Sequence, residues 1–268
     1  MIPKKIHYCW FGGKPLPQLA EKCINSWKKY CPDYEIIEWN ETNYNLKSCI
    51  YVEEAYKAQR WAFVSDFARL DIIYNYGGIY LDIDVELLKN LDELLKNKEF
   101  FATEQVGLIN TGLIFGAEIK NSNIKLLLEE YTNIHFIISE NVYDVLPCPQ
   151  RNTHPFLNKG FQKKDEIQII NEAVIFPPEY FCPIDNKTKK CRITSNTYSI
   201  HHFGALWISE DEKKIYKQFE VYDKNYTKII AMLLKARYEY EITYDKLKMK
   251  FIFKFIKDRI KKRKIRKR

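Results

Sequence analysis

Two aspartates one residue apart, Asp82 and Asp84, stand with Glu86 in the stretch Gly77-Gly-Ile-Tyr-Leu-Asp-Ile-Asp-Val-Glu86. On a strand, a period of two puts Ile79, Leu81, Ile83 and Val85 on one side and Tyr80, Asp82, Asp84 and Glu86 on the other. Carboxylates this close repel each other unless a cation lies near both. Hard oxygen ligands suit magnesium or manganese, which leave positions open for phosphate oxygens. Without a cation, the same pattern is a strand leaving the core with a solvated acidic edge. Upstream, Asp66 and Arg69 are three residues apart and so share one helix face. Around them Trp61, Phe63, Val64, Phe67, Leu70, Ile72 and Ile73 make the helix apolar nearly all round. On a solvated face the pair is an ordinary surface ion pair. On a largely buried helix it needs partners, and sugar hydroxyls and a diphosphate would serve.

The elements that must hold these groups alternate. The pattern predicts a strand at Ile6 to Phe11 ending at Gly12-Gly13, a helix from about Pro17 to Tyr30 and a strand at Tyr34 to Trp39. One long helix is predicted over Val52 to Tyr76, stopped by Gly77-Gly78. Strands follow at Ile79 to Glu86, Phe100 to Glu104 and Thr111 to Gly116, then a helix from about Ile124 to Ile137. Pro147 to Pro155 reads as a loop, and strands near Ile167 to Asn171 and Tyr198 to His202 follow. The whole implies an α/β sandwich around a mostly parallel sheet, in which ligands bind beyond the carboxyl ends of the strands.

Of 268 residues, 46% are hydrophobic and 29% charged, which excludes a disordered or low-complexity chain. Apolar runs are broken by charge well before the roughly 18 residues of a membrane span. The net charge of +8 is unevenly placed: Lys246 to Arg268 holds 13 Lys and Arg against the single acid Asp258, and the preceding body is mildly acidic. That body is a poor nucleic-acid binder, since its groove should itself be basic. Seven cysteines without C-x-x-C, and no apolar leader at the start, predict reduced thiols in a cytosol.

Trp61-Ala-Phe-Val-Ser-Asp-Phe-Ala-Arg-Leu followed by Tyr74-Asn-Tyr-Gly-Gly-Ile-Tyr-Leu-Asp-Ile-Asp resembles the signature of the glycosyltransferases with a DXD-containing sugar-binding region, family 32. The opening Ile2-Pro-Lys-Lys-Ile-His-Tyr-Cys-Trp-Phe-Gly-Gly, Asn110-Thr-Gly-Leu-Ile-Phe-Gly and His201-His-Phe-Gly-Ala-Leu-Trp207 resemble further parts of that family. The resemblance runs over about residues 2 to 207 and is most specific at its centre. It implies a GT-A fold, a Rossmann-like α/β/α sandwich, with a helical C-terminal extension, and a retaining transfer from a nucleotide-diphosphate sugar with Mn2+ or Mg2+. By the same resemblance Trp10 stacks on the nucleobase or lines its pocket, Asp66 and Arg69 hold the donor sugar, and Tyr80 and Asp82 hold ribose or sugar. Asp84 binds the metal directly, His201 (or else His202) adds a ligand, and Trp207 donates to the diphosphate. Asn110 is a candidate for the donor-sugar surroundings. Read alone, Trp10 is also a plausible core anchor, the histidines a structural pair and Asn110 a turn cap. Leu206 stands where the family often has serine.

The chain is thus expected to carry a catalytic domain at 1–208, a helical region at 209–245 and a basic tail at 246–268. In the tail, Met249, Ile252, Phe253, Ile256 and Ile260 recur at three and four residues among bases. Such a helix suits an anionic membrane surface and a peripheral position at the cytoplasmic face, near a glycan or lipid-linked acceptor in surface-polysaccharide synthesis. A solvated tail or a partner-binding helix fits the same pattern. Two rivals to a transferase remain: a haloacid-dehalogenase-type phosphatase, since Leu81-Asp-Ile-Asp-Val imitates its nucleophile strand, and a non-catalytic sugar-binding protein at the membrane.

Overall fold

The computed structural model describes residues 1–139, 142–185, 188 and 190–204. The chain opens with strand β1 (Lys5–Cys9), helix α1 (Gln18–Tyr30) and strand β2 (Glu35–Trp39). Helices α2 (Ile50–Lys57) and α3 (Trp61–Tyr76) precede strands β3 (Gly78–Leu81) and β4 (Val85–Leu87). Strands β5 (Glu99–Gln105), β6 (Leu108–Ile109) and β7 (Ile114–Ala117) lead to helix α4 (Ser122–Glu129) and the hairpin β8 (Ile137–Ser139) and β9 (Val142–Tyr143). Helix α5 (Cys148–Leu157), strands β10 (Gln168–Ile170) and β11 (Ala173–Phe176), the short helix α6 (Pro178–Phe181) and strand β12 (Ser199–His201) complete it.

The main sheet runs β10-β11-β5-β7-β3-β1-β2, with β6 paired to β5, and it is mixed rather than mostly parallel. β1 is parallel to β2 and β3, and β11 to β5, whereas β7 lies antiparallel between β3 and β5. Both faces are covered, as the strand sequences require. Neighbouring residues go to opposite sides: Tyr80, Phe101 and Phe115 join one core with Val64, Leu70, Ile124 and Phe156. Ile79, Leu81 and Phe100 join the other with Cys23, Trp27 and Phe181. Trp27 is fully buried and donates its indole N–H to the carbonyl of Val85 at 2.7 Å. Truncating such a side chain costs about 3–5 kcal/mol. Among the described residues no helix is long and apolar enough to cross a membrane.

The structure redraws several expected elements. The long helix of residues 52–76 is two helices, because Gln59 adopts a φ of 56° and Arg60 N–H returns to the Ala55 carbonyl at 2.9 Å, closing α2. The strand expected to run unbroken to Glu86 stops at Leu81. A turn at Asp82, closed by Val85 N–H to its carbonyl at 3.0 Å, hands β4 from the main sheet to β12. α4 ends at Glu129 instead of reaching Ile137, and it starts where the Asn121 side chain accepts from Asn123 and Ile124 N–H. The proline-rich stretch expected to be a loop is α5, whose Pro149 sits in the first turn, where a missing N–H does no harm. β11 follows the short β10 where no second strand was expected. Trp207, residues 209–245 and the tail at 246–268 lie outside the described residues, as does the expected boundary at 208.

Candidate active site

The ends of the parallel neighbours β1 and β3 lie side by side at one edge of the sheet. β1 ends at Cys9, so Trp10 follows the strand instead of forming part of it, and Asp82 follows β3. Gly77 and Gly78 release the chain from α3 into β3, and both have positive φ, 62° and 105°. At Gly78 a Cβ would lie 2.9 Å from the carbonyl oxygen of Lys5, so only glycine lets β3 close on β1.

Arg69 stands at the centre of the site, 3% exposed. Its Nη2 lies 3.1 Å from Asp66 Oδ1 and 3.5 Å from Asp82 Oδ1, and its Nε donates to the Ser65 carbonyl at 3.0 Å. The helix spacing that suggested a shared face for Asp66 and Arg69 thus produces a buried pair, not a surface one. Burial pushes the Asp66 carboxyl up to about 6; Arg69 opposes this and Asp82 adds to it. Against an ordinary aspartate, that disfavours the ionised form by on the order of 3 kcal/mol. Burial likewise raises Asp82, with Arg69 opposing and Asp84 adding. One guanidinium between two carboxylates leaves the pocket negative when both are ionised.

Tyr80 is fully buried and donates its hydroxyl to Asp82 Oδ1 at 2.8 Å, so it orients Asp82. Asn110 also joins the group. Its Oδ1 accepts from Gly112 N–H at 2.7 Å, and its Nδ2 donates to Glu104 at 2.8 Å. A Cβ on Gly112 would fall 2.6 Å from Arg69 Nη1, 2.7 Å from Asp82 Oδ2 and 3.0 Å from Asn110 Oδ1. Gly112 is therefore the floor on which these three side chains converge, and the Asn-Thr-Gly sequence was its only signal. Cys148 and Asn152 of α5 touch the same group, and reading their segment as a loop hid them.

On the other side of the turn, Asp84 is buried and its Oδ1 lies 3.3 Å from His201 Nε2, while its Oδ2 accepts from Gly204 N–H at 2.8 Å. Burial alone would raise Asp84, but His201 outweighs it and holds the carboxyl below the ordinary range. Burial likewise works against the His201 imidazolium, and Asp84, then Cys182, override it and push the imidazole up to about 10. Register explains which histidine is which: His201 pairs with Val85 across β12 and β4, and His202 turns to the other side, 2.8 Å from Glu86. Trp10, half-buried after β1, donates its indole N–H to the Lys14 carbonyl at 2.5 Å. Nearby, Gly12 N–H is bonded to Glu41 and the Trp61 ring packs against the Gly12 backbone.

Among the described residues no group of three or more His, Cys, Asp or Glu gathers as a cation site. Asp84 and His201 nonetheless fit a divalent ion as two of its ligands once the ion displaces the imidazole proton. Their 3.3 Å separation is close to that of neighbouring ligands about 2.1 Å from one ion, whose other positions water and phosphate oxygens ordinarily fill.

Residues 17–101 match the glycosyltransferase sugar-binding region containing DXD motif. Over 122 residues the chain is 30% identical to inositol phosphoceramide mannosyltransferase 1 of Schizosaccharomyces pombe, covering 41% of this chain and 37% of that protein. With inositol phosphoceramide mannosyltransferase 3 of the same yeast it is 35% identical over 106 residues, covering 35% and 27%. An uncharacterized glycosyltransferase, L373, of Acanthamoeba polyphaga mimivirus is 30% identical over 122 residues, covering 43% and 49%. The chain thus spans half or less of the length of these relatives. Partial likenesses among solved structures include the PaToxG glycosyltransferase, with a TM-score of 0.46 at 18% identity over 59% of this chain and 70% of the other. Another is the galactosyltransferase LgtC, with 0.41 at 16% identity over 75% and 87%.

Proposed function

Since residues 17–101 match the DXD-containing sugar-binding region of glycosyltransferases, we propose that the protein is a glycosyltransferase of GT-A type. It would move a sugar from a nucleotide-diphosphate donor to a glycan or lipid-linked acceptor. The observation that carries this reading is the convergence of Arg69, Asp82 and Asn110 over Gly112, with Asp66 paired to Arg69, next to the Asp84–His201 pair. One group suits sugar hydroxyls, the other a cation beside a diphosphate.

Breaking the anomeric C–O bond puts negative charge on the leaving phosphate and positive charge on the ring. Magnesium or manganese held by Asp84 and His201 would supply charge at the diphosphate. Asp66 and Arg69 bind and orient the sugar. The excess carboxylate charge of Asp66 and Asp82 over Arg69 favours the cationic ring, and Tyr80 keeps the Asp82 carboxylate in place. Trp10, on the loop after β1, would line the nucleobase pocket, and Trp207 would donate to the diphosphate. The family resemblance favours retention of anomeric configuration.

The acceptor side rests on sequence. A 13-base segment at Lys246 to Arg268 suits attraction to anionic lipid, and the yeast relatives are named for a sphingolipid acceptor. A peripheral position at the cytoplasmic membrane face fits the first, and a lipid-linked acceptor fits the second. Calorimetric titration of UDP-, GDP- and other nucleotide sugars, with and without manganese, tests the reading. Binding of at least one donor that strengthens with manganese is expected, and binding of none would contradict it.

A further inference from the structure

A helix outside the DXD region also reaches the sugar-binding side chains. Cys148 opens α5 and is buried with its sulfur against four polar groups: Arg69 Nη1 at 3.7 Å, Asn110 Oδ1 at 3.6 Å, Thr111 Oγ1 at 3.4 Å and Asn152 Nδ2 at 3.0 Å. Asn152 lies one helical turn later, hence on the same face, and its Nδ2 also donates to Thr111 Oγ1 at 2.7 Å. Next to it, Thr153 Oγ1 accepts from the N–H of Ile109, the residue before Asn110, at 2.9 Å. α5 therefore grips the Asn110–Gly112 turn at two points and Arg69 at a third.

The chemistry of this contact is specific. A thiol is both a weak donor and a weak acceptor, so one sulfur can face a guanidinium, an amide N–H and an amide oxygen together. Burial pushes the Cys148 thiol up to about 12, and the neutral group adds no third negative charge beside Asp66 and Asp82. Asn152, 1% exposed, has an Oδ1 with no hydrogen-bond partner among the described residues. Buried amide oxygens in a finished structural network are nearly always satisfied, so an unpaired one marks a cluster with more than a structural role.

We propose that Cys148 and Asn152 are positioning residues for the donor sugar, holding Arg69 and the Asn110–Gly112 turn in the arrangement that meets it. This rests on the glycosyltransferase reading. The test compares Cys148→Ala, Cys148→Ser and Asn152→Leu with the wild type in manganese-dependent turnover of whichever nucleotide sugar the wild type accepts. Nucleoside-diphosphate affinity is measured by calorimetry and folding by thermal denaturation. Because a small misplacement of a reacting group is costly, Cys148→Ala and Asn152→Leu should each lower kcat about tenfold or more. The nucleoside-diphosphate Kd should stay within roughly threefold, as expected when only sugar contacts are lost. Cys148→Ser should recover most of the loss, since a hydroxyl can still bridge Arg69 and Asn110. Wild-type kcat in the alanine and leucine variants would overturn the proposal, as would equal losses of turnover and nucleoside-diphosphate binding in any variant that folds. If only one variant folds, its kcat decides the matter. A wild type that turns over no nucleotide sugar would instead strike down the glycosyltransferase reading, and the positioning role with it.

Discussion

His201 Nε2 stands 3.3 Å from Asp84 Oδ1, and this pair joins the strand β12 to the acidic turn after β3. If the two hold the divalent ion, Asp84→Asn should lower manganese-dependent donor turnover at least about a hundredfold, the scale of losing one transition-state electrostatic contact. The amide still offers an oxygen to Gly204 N–H but leaves the buried His201 without its carboxylate, so the melting temperature should fall, and turnover is compared at a temperature at which the variant is folded. Undiminished turnover at saturating manganese would sink the assignment.

Asp66 carries a pH dependence. Its folded value, about 6, is raised above that of an unfolded aspartate, so the protonated form favours folding. The resulting stability is present at low pH and is lost as pH rises through about 6. Asp66→Asn imitates the protonated form, and its stability relative to the wild type should therefore be greater at pH 8 than at pH 5 in denaturant unfolding. If catalysis uses the ionised form, wild-type kcat should rise with pH through about 6, and the variant should lose that limb along with most of its kcat. Nucleoside-diphosphate affinity should be nearly unchanged; a parallel loss of that affinity would argue against a sugar contact.

Gly112→Ala tests the floor of the pocket. Its φ is not positive, so alanine suits the backbone, yet the new methyl would sit 2.6 Å from Arg69 Nη1 and 2.7 Å from Asp82 Oδ2. Both side chains must move, and a shift of that kind is expected to lower turnover by about 10²-fold. Circular dichroism should remain that of the wild type. A fully active Gly112→Ala would show that Arg69 and Asp82 need not converge there.

The basic segment is separable from the chemistry if the catalytic residues all precede it. Truncation after Asp245 removes 13 bases and one acid and should abolish sedimentation with anionic vesicles, an attraction that salt should also weaken. Donor hydrolysis should persist. Vesicle binding that survives truncation would refute the role of the segment.

Much of the site was legible because its signals are local. Gly77-Gly78 marks a backbone that only glycine accepts, and the Asp66 to Arg69 spacing fixes a shared face within a single helix turn. The alternation through Asp82 was legible too, although it put Tyr80 on the face with the carboxylates. There Tyr80 is buried, because β3 lies inside the sheet with α3 across that face. The break at Gln59-Arg60 was hidden because no glycine or proline marks it. α5 was hidden for the opposite reason: its prolines imitate a loop, although one in the first turn is compatible with a helix. With α5 went Cys148 and Asn152, whose contacts with Arg69, Asn110 and Thr111 are made by tertiary packing alone.

The most direct test of a nucleotide-sugar transferase is slow hydrolysis of its donor when no acceptor is present. Purified protein incubated with each of a panel of nucleotide sugars and manganese should release nucleoside diphosphate and free sugar from at least one of them. A chelator should stop the release, and Asp84→Asn should lack it. Binding of a nucleotide sugar with no release from any donor, with or without manganese, would contradict the account and leave a sugar-binding protein in its place.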